Sequence, residues 1–282
     1  MSRTVYVNGS FLPEEDAKVS VFDRGFLFAD GVYEVSTVLE GRLIDNEAHL
    51  VRLQRSLDEL QMTSPVSMDD IVTIQNQLIK QNGLKEGGLY LQITRGAADR
   101  DFAFPKDATP SLVMFTQEKN LLNSPAAERG LSVISVEDIR WQRRDIKTVG
   151  LLAPALAKQA AVVAGADDAW MYENGFVTEG SSNNAYIISK EGKIITRHLG
   201  NEILHGITRR SVLELANEAD MEVEERPFTL DEVRNAAEAF VTSATTFVTP
   251  VVSLDGEKIG DGKPGALTKR LRQLYIEQAL AS

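Results

Sequence analysis

Lys147 ends a charged loop, Asp138-Ile139-Arg140-Trp141-Gln142-Arg143-Arg144-Asp145-Ile146-Lys147, and precedes Thr148 and an apolar, alanine-rich run. At the edge of an apolar interior a lysine favours its neutral amine, which is a usable nucleophile. Taken alone, such a lysine is more often a solvated one. Glu179, within Thr178-Glu179-Gly180-Ser181-Ser182-Asn183-Asn184, falls where a hairpin turns into a buried strand. A carboxylate there could pair with a protonated ring nitrogen, or simply be a solvated hairpin residue. Gly206-Ile207-Thr208-Arg209 opens a helix, where free backbone N–H groups and the helix dipole favour an anion. The plainer reading makes Thr208 only a cap. Ser243-Ala244-Thr245-Thr246 follows an apolar strand ending at Val241. Small hydroxylated residues at a strand end let a phosphate approach the backbone, though an ordinary polar turn has the same composition. Each stretch is weak alone. Together a lysine, a carboxylate for a pyridine nitrogen and a phosphate cup are what an electrophilic aldehyde cofactor needs.

The elements that must position these residues follow from turn signals and periodicity. Residues 4–45 read as strands and hairpins, with turns at Asn8-Gly9 and Glu40-Gly41 and a strong strand over Tyr33 to Leu39. A helix opens near Asn46 as N-cap, with Leu50, Leu53, Leu57 and Leu60 at helical spacing. A second starts at Ser67, has Asp69 and Asp70 in its first turn, and stops at Gly83. Strands follow over Leu89 to Thr94 and Ser111 to Thr116, separated by a polar loop from Arg95 to Pro110.

Residues 121–130 read as a linker between an N-terminal domain, 1–120, and a C-terminal domain, 131–282. In the second domain strands are expected near 131–138, 168–172, 184–189, 193–196, 221–226, 239–243 and 248–254. Helices are expected near 151–165, 208–219, 230–237 and 265–280, with Thr229 and Glu232 as a capping box. Many hairpins and few crossovers predict an α+β chain with antiparallel-rich sheets.

Composition removes whole classes of function. The net charge of −11 argues against a nucleic-acid partner, since phosphate backbones need a basic face. With no cysteine there is no disulfide, thiolate catalysis or zinc–sulfur site, which fits a cytoplasmic protein. Residues Met1 to Tyr6 lack a signal-peptide pattern, and the most apolar stretch, Leu151 to Ala166, is broken by Pro154, Lys158 and Gln159. No GxGxxG follows a strand and no GxSxG is present. His49, His198 and His205 are far apart, so no metal site is expected, and each is read as a surface or packing residue.

Five segments in order carry a resemblance. They are Asp23-Arg24-Gly25-Phe26-Leu27-Phe28-Ala29-Asp30-Gly31-Val32-Tyr33-Glu34, then Glu137 to Trp141, Asp145-Ile146-Lys147, Val177 to Ser182, and Gly206 to Arg209. Over nearly its whole length the chain resembles the fold-type IV enzymes of pyridoxal 5′-phosphate (PLP), and among them the D-amino-acid aminotransferases most. The resemblance implies a two-domain fold, with a small N-terminal α/β domain and a larger C-terminal domain holding a barrel-like sheet. It implies Lys147 joined to PLP as a Schiff base and Glu179 on the pyridine nitrogen. Arg52 would bind the phosphate with the Ile207 and Thr208 amides and the turn at Thr245. Tyr33 would line the substrate side near Lys147. Arg100 would clamp the substrate carboxylate, reaching across from the other subunit of a homodimer.

Two positions depart from the family pattern. Relatives commonly carry Arg-x-His where this chain has Arg100-Asp101-Phe102, and Phe102 donates no hydrogen bond to a carboxylate. Ala244 stands where relatives carry a phosphate-binding Thr. The expected activity is transfer of the amino group of a D-amino acid such as D-alanine to a 2-oxo acid, by a ping-pong mechanism. The alternatives are an (R)-amine or branched-chain transaminase, an aminodeoxychorismate lyase, or a PLP-binding protein without turnover.

Overall fold

The structure, a computed structural model, describes residues 2–281. Its contacts divide the chain into two units, Met1–Asn120 with Ile146–Gly150, and Leu121–Asp145 with Leu151–Ser282.

The first unit opens with β1 (Thr4–Val7) and β2 (Ser10–Pro13), joined at Asn8 and Gly9 with φ of 46° and 97°. Two successive positive φ values match the twist of the flanking strands. A short helix, α1 (Arg24–Phe28), follows where only strands and hairpins were expected. Its start is set by Asp23, which accepts from the Gly25 amide at 2.8 Å. Then come β3 (Gly31–Leu39), β4 (Arg42–Ile44), α2 (Asn46–Glu59), α3 (Met68–Asn82), β5 (Glu86–Thr94) and β6 (Ser111–Glu118).

The strands lie in the order β2-β1-β6-β5-β3-β4, each antiparallel to its neighbour. Leu53 and Leu57 of α2 and Ile71, Leu78 and Ile79 of α3 share one core with Val38, Leu89, Leu91, Ile93 and Met114 of the sheet. The N-cap of α2 is Asp45, at φ 54°, and not Asn46 as the sequence suggested. Asn46 turns inward, accepting from Ser36 Oγ and donating to Gln75 Oε1, both at 2.8 Å.

The segment Ile146–Gly150 belongs to this unit although it lies far along the chain. Tyr33 N donates to Lys147 O at 3.0 Å, Val149 N donates to Gly31 O at 3.1 Å, and Thr148 bridges Val32. Ile146 is buried in the first core. The outer edge of β3 is thus shared: β4 pairs with Thr37 to Leu39, and this segment covers Gly31 to Tyr33.

The second unit starts with α4 (Pro125–Arg129), so the expected linker over 121–130 is folded and counts with this unit. It continues with β7 (Leu131–Glu137), α5 (Leu152–Val163), β8 (Asp168–Glu173), β9 (Phe176–Gly180), β10 (Asn184–Ile188) and β11 (Ile194–Thr196). The remaining elements are α6 (Ile207–Glu218), β12 (Val223–Glu225), α7 (Leu230–Asn235), β13 (Glu238–Ser243), β14 (Phe247–Leu254), β15 (Glu257–Lys258) and α8 (Ala266–Ala281).

The sheet runs β12-β11-β10-β13-β14-β7-β8-β9, with β15 added on β14. Three steps are parallel, β11–β12, β14–β7 and β7–β8, and the rest are antiparallel. Strand β9 also lies against β10, which curls the sheet as the barrel-like expectation required. Trp170, Val177, Ile187, Phe228, Val241 and Val251 fill its core. Thr229 and Glu232 form the predicted capping box on α7. Among the described residues, no helix is long and apolar enough to cross a membrane.

One glycine at the foot of the Arg95-to-Pro110 loop generates a test. Gly96 has φ of 95°, and a Cβ there would lie 1.9 Å from Thr109 O. Gly96→Ala is expected to cost about 2–4 kcal/mol, read as a lower midpoint of denaturant unfolding. An unchanged midpoint would show that this backbone path is not required.

Candidate active site

In the first unit, strand alternation sends Tyr33 and Glu34 to opposite faces of β3. On one face, Lys147 Nζ sits 4.2 Å from the centre of the Tyr33 ring. Tyr33 stacks on Tyr90 at 5.6 Å, and Tyr90 on Phe115 at 4.7 Å. Tyr90 OH donates to Gln92 Oε1 at 2.7 Å, and burial, helped by neighbouring Tyr33, pushes its phenol up to about 12. The predicted amine and the predicted substrate-side tyrosine are therefore in contact, at the start of an aromatic shelf.

On the other face, Glu34 is fully buried and takes two bonds from Arg52, Nε to Oε1 at 2.8 Å and Nη2 to Oε2 at 2.7 Å. His49 Nδ1 lies 2.7 Å from Glu34 Oε2. Burial alone would raise the Glu34 carboxyl, but the charges and hydrogen bonds of Arg52 and His49 outweigh it and bring it to about 2. Helical spacing puts His49, Arg52 and Ser56 on one face of α2, and Lys147 N approaches Ser56 Oγ at 3.4 Å. Arg52 thus stands one turn from the lysine backbone with its guanidinium orientation set by Glu34.

In the second unit, Glu179 is buried on β9, which rules out the solvated-hairpin reading. Arg140 Nη1 donates to its Oε1, Asn184 Nδ2 to its Oε2 at 3.0 Å, and Leu204 N to the same carboxylate at 3.2 Å. Arg140 is in turn gripped by Asp138 at 2.7 and 3.0 Å, and Thr178 Oγ1 donates to Asp138 Oδ2 at 2.6 Å. Burial raises the Glu179 carboxyl above its ordinary value, against the downward pull of Arg140. A carboxyl raised in this way shares a proton with a ring nitrogen more evenly than a solvated carboxylate does.

Asn184 ties this acid to the predicted anion site. Its Nδ2 also donates to Leu204 O at 3.0 Å, and its Oδ1 lies so close to Gly206 that a Cβ there would meet it at 2.0 Å. Gly206 is the N-cap of α6 and offers no side chain to the first-turn amides, and Thr208 lies inside the helix rather than capping it. Helix α6 packs on β13, whose hairpin to β14 turns through residues 244–246. Ser243 Oγ and Thr246 Oγ1 bond across that turn at 2.8 Å, and Arg272 Nη1 donates to Thr246 O at 2.9 Å. The Ile207 and Thr208 amides and the turn at Thr245 thus share one unit with Glu179. Among the described residues no cluster of His, Asp or Glu could hold a metal ion.

These features fit PLP. The cap-less α6 suits a phosphate, the buried Glu179 suits a pyridine nitrogen, and Lys147 supplies an amine for an aldehyde. Arg100 and Phe102 lie on the exposed loop after Gly96 and touch each other, and among the described residues neither has a ring contact or hydrogen bond to Lys147, Tyr33 or Tyr90. Phe102 packs on Phe28 with ring centres 5.4 Å apart and the rings tilted.

Sequence reasoning missed Glu34 and gave His49 only a surface or packing duty. Its place three residues before Arg52 was the available signal, because that spacing puts both on one helix face. It quoted Arg140 and Asn184 without a role, since their partner Glu179 is reached only through folding.

A sequence model of the family described as amino-transferase class IV matches residues 31–254. The chain is 38% identical to the D-alanine aminotransferase of Staphylococcus haemolyticus, over 97% of this chain and 98% of that one. It is 39% identical to the D-alanine aminotransferase of Bacillus licheniformis, over 99% and 97%. Among solved structures it is similar to the branched-chain amino acid aminotransferase of Escherichia coli, with a TM-score of 0.93 at 23% identity over 99% and 95% of the two chains. It is also similar to the T.th. branched-chain amino acid aminotransferase with pyridoxamine 5′-phosphate, with a TM-score of 0.92 at 27% identity over 99% and 94%.

Because the folded-state value of Glu34 is lowered to about 2, its ion pairs contribute fully above an unfolded glutamic acid's pKa of about 4.3 and are lost as pH falls towards 2. Glu34→Ala removes the acceptor of two Arg52 bonds. It is expected to cost about 3–5 kcal/mol at neutral pH and to flatten the acid limb of the stability–pH curve. Parent-like stability at neutral pH would refute the role given to this buried carboxylate.

Proposed function

The chain belongs to the class IV aminotransferases and is an enzyme that works with PLP, and on that premise we propose that it transfers the amino group of D-amino acids, D-alanine among them, to 2-oxo acids such as 2-oxoglutarate or pyruvate. The observation that carries this reading is the near-full-length likeness to D-alanine aminotransferases. When bound, the cofactor supplies an aldehyde to capture the amino group and a ring that accepts the electrons freed at the substrate's Cα.

The chain's own residues do the rest. Lys147 Nζ accepts the Cα proton, and its contact with the Tyr33 ring keeps the amine at the substrate side. Glu179, steadied by Arg140, Asn184 and the Leu204 amide, holds a proton at the ring nitrogen. Arg52, oriented by Glu34, binds the phosphate with the Ile207 and Thr208 amides and the turn at Thr245. Arg100 meets the substrate carboxylate, which a fork of N–H donors recognises. Turnover is ping-pong, the first keto acid leaving before the second binds.

The working form in this reading is a homodimer, with Arg100 serving the partner's site. Its loop carries exposed Phe102 and Phe104, and Val21, Phe22 and Phe26 of the same unit are exposed as well, apolar side chains that a second copy would cover. The absence of cysteine agrees with work in the cytoplasm. Phe102 motivates a second reading, a transaminase of (R)-amines, because a phenylalanine meets an apolar group better than a carboxylate.

The test combines identity of the lysine with handedness. Borohydride reduction of the holoenzyme, followed by digestion, is expected to leave a pyridoxyl mass on the peptide containing position 147. Lys147→Ala is expected to lose turnover. D-alanine with 2-oxoglutarate should yield pyruvate where L-alanine does not. Activity confined to L-leucine or to (R)-1-phenylethylamine would overturn the D-amino-acid reading, and pyruvate release from aminodeoxychorismate with no amino acceptor would mark a lyase.

A further inference from the structure

Resting on the reading of Arg100 as the carboxylate-binding residue, we propose that Phe28 and Phe102 are positioning residues whose two mutually packed rings both hold the Arg100 guanidinium, so that this arginine meets the carboxylate without a second side-chain donor.

Arg100 Cζ lies 5.2 Å from the centre of the Phe28 ring and 5.6 Å from that of Phe102. Both are inside the roughly 6 Å range over which a cation is attracted to a ring face. The two rings pack on each other at 5.4 Å with an interplanar angle of 59°. Among the described residues, no carboxylate forms an ion pair with Arg100. A ring has no strong acceptor to compete for the guanidinium's five N–H donors. Aromatic contact therefore holds the cation while leaving its fork available, whereas a partner Asp or Glu would occupy it.

The backbone beside Phe102 is fastened from below. Buried Arg24 donates through Nη1 to Asp101 O at 2.6 Å and to Ala103 O at 3.4 Å, the carbonyls on either side of Phe102. Asp101 Oδ1 accepts from the Ala103 amide at 3.1 Å, which closes the turn. Arg24 also faces the Phe28 ring, with Cζ 4.5 Å from its centre. Asp30 binds Arg24 Nε at 2.7 Å and Arg95 Nε at 2.8 Å, and Arg95 packs on Phe104 at 3.6 Å. The exposed loop is thus anchored to a buried Arg–Asp–Arg cluster, and its Arg100 is held by rings. Phe102 is 78% exposed, so its packing on Phe28 and Arg100 covers little of it. Replacing it therefore leaves the buried core of this unit intact.

The test uses the full-length holoenzyme and two readouts, KM for D-alanine and the equilibrium Kd of propionate, a carboxylate of the same carbon length. Phe102→Leu keeps apolar volume and removes the ring face. It is expected to raise both quantities on the order of fivefold, with a much smaller change in kcat. Phe102→Tyr is expected to restore parent-like values. Arg100→Ala should raise both further, and Phe102→Leu in that background should add nothing, because the two residues act as one unit. If Arg100→Ala raises KM and Kd while Phe102→Leu leaves them alone, or if Phe102→Tyr is as impaired as Phe102→Leu, the positioning role is wrong and Arg100 keeps its own. If Arg100→Ala changes neither, the reading beneath the proposal fails, and the proposal with it.

Discussion

Two backbone hydrogen bonds, Tyr33 N to Lys147 O and Val149 N to Gly31 O, fix Lys147 to the sheet of the first unit. Strand β4 covers only the last third of the β3 edge, which on its own leaves backbone groups unpaired at Gly31 to Tyr33. The segment from Ile146 satisfies them and buries Ile146 as it does so. Lysine placement is therefore a property of sheet pairing, which is stiff, and not of loop conformation. The contact between Lys147 Nζ and the Tyr33 ring follows from it, because the two residues are paired neighbours on adjacent segments. A site built on a strand edge holds its reacting atom more narrowly than one built on a loop tip.

The two buried glutamates have opposite electrostatics for one reason. Both lose solvation, and they differ in how completely cations repay it. Glu34 receives two Arg52 bonds and a histidine, and its carboxyl is driven down. Glu179 shares its arginine with Asp138, which engages two other nitrogens of the same guanidinium and adds negative charge nearby. The Glu34 carboxyl is thus held as an anion, and that of Glu179, which the proposed reading sets against a ring nitrogen, is left more responsive to a proton.

Local pattern carried the helices with apolar periodicity and the hairpins turning at Asn8-Gly9 and Glu40-Gly41, because those signals lie within a few residues of one another. The five-residue α1 was not legible, since it is too short for a period and rests on a single Asp23 cap. The N-cap of α2 moved by one residue because Asn46 found tertiary partners in Ser36 and Gln75. Family motifs brought out Lys147 and Glu179, yet the membership of 146–150 in the first unit depends on pairing with residues more than a hundred positions earlier. His49, Arg140 and Asn184 act through partners that only the folded chain supplies.

Arg272 joins stretches of the second unit that lie far apart in sequence. Its guanidinium, on α8, binds the carbonyls of Thr246 and Val248 through Nη1 and that of Leu121 through Nη2. One side chain near the end of the chain thus satisfies backbone acceptors both at the start of the unit and at the turn after β13, so that α8 acts as a clasp on two segments at once.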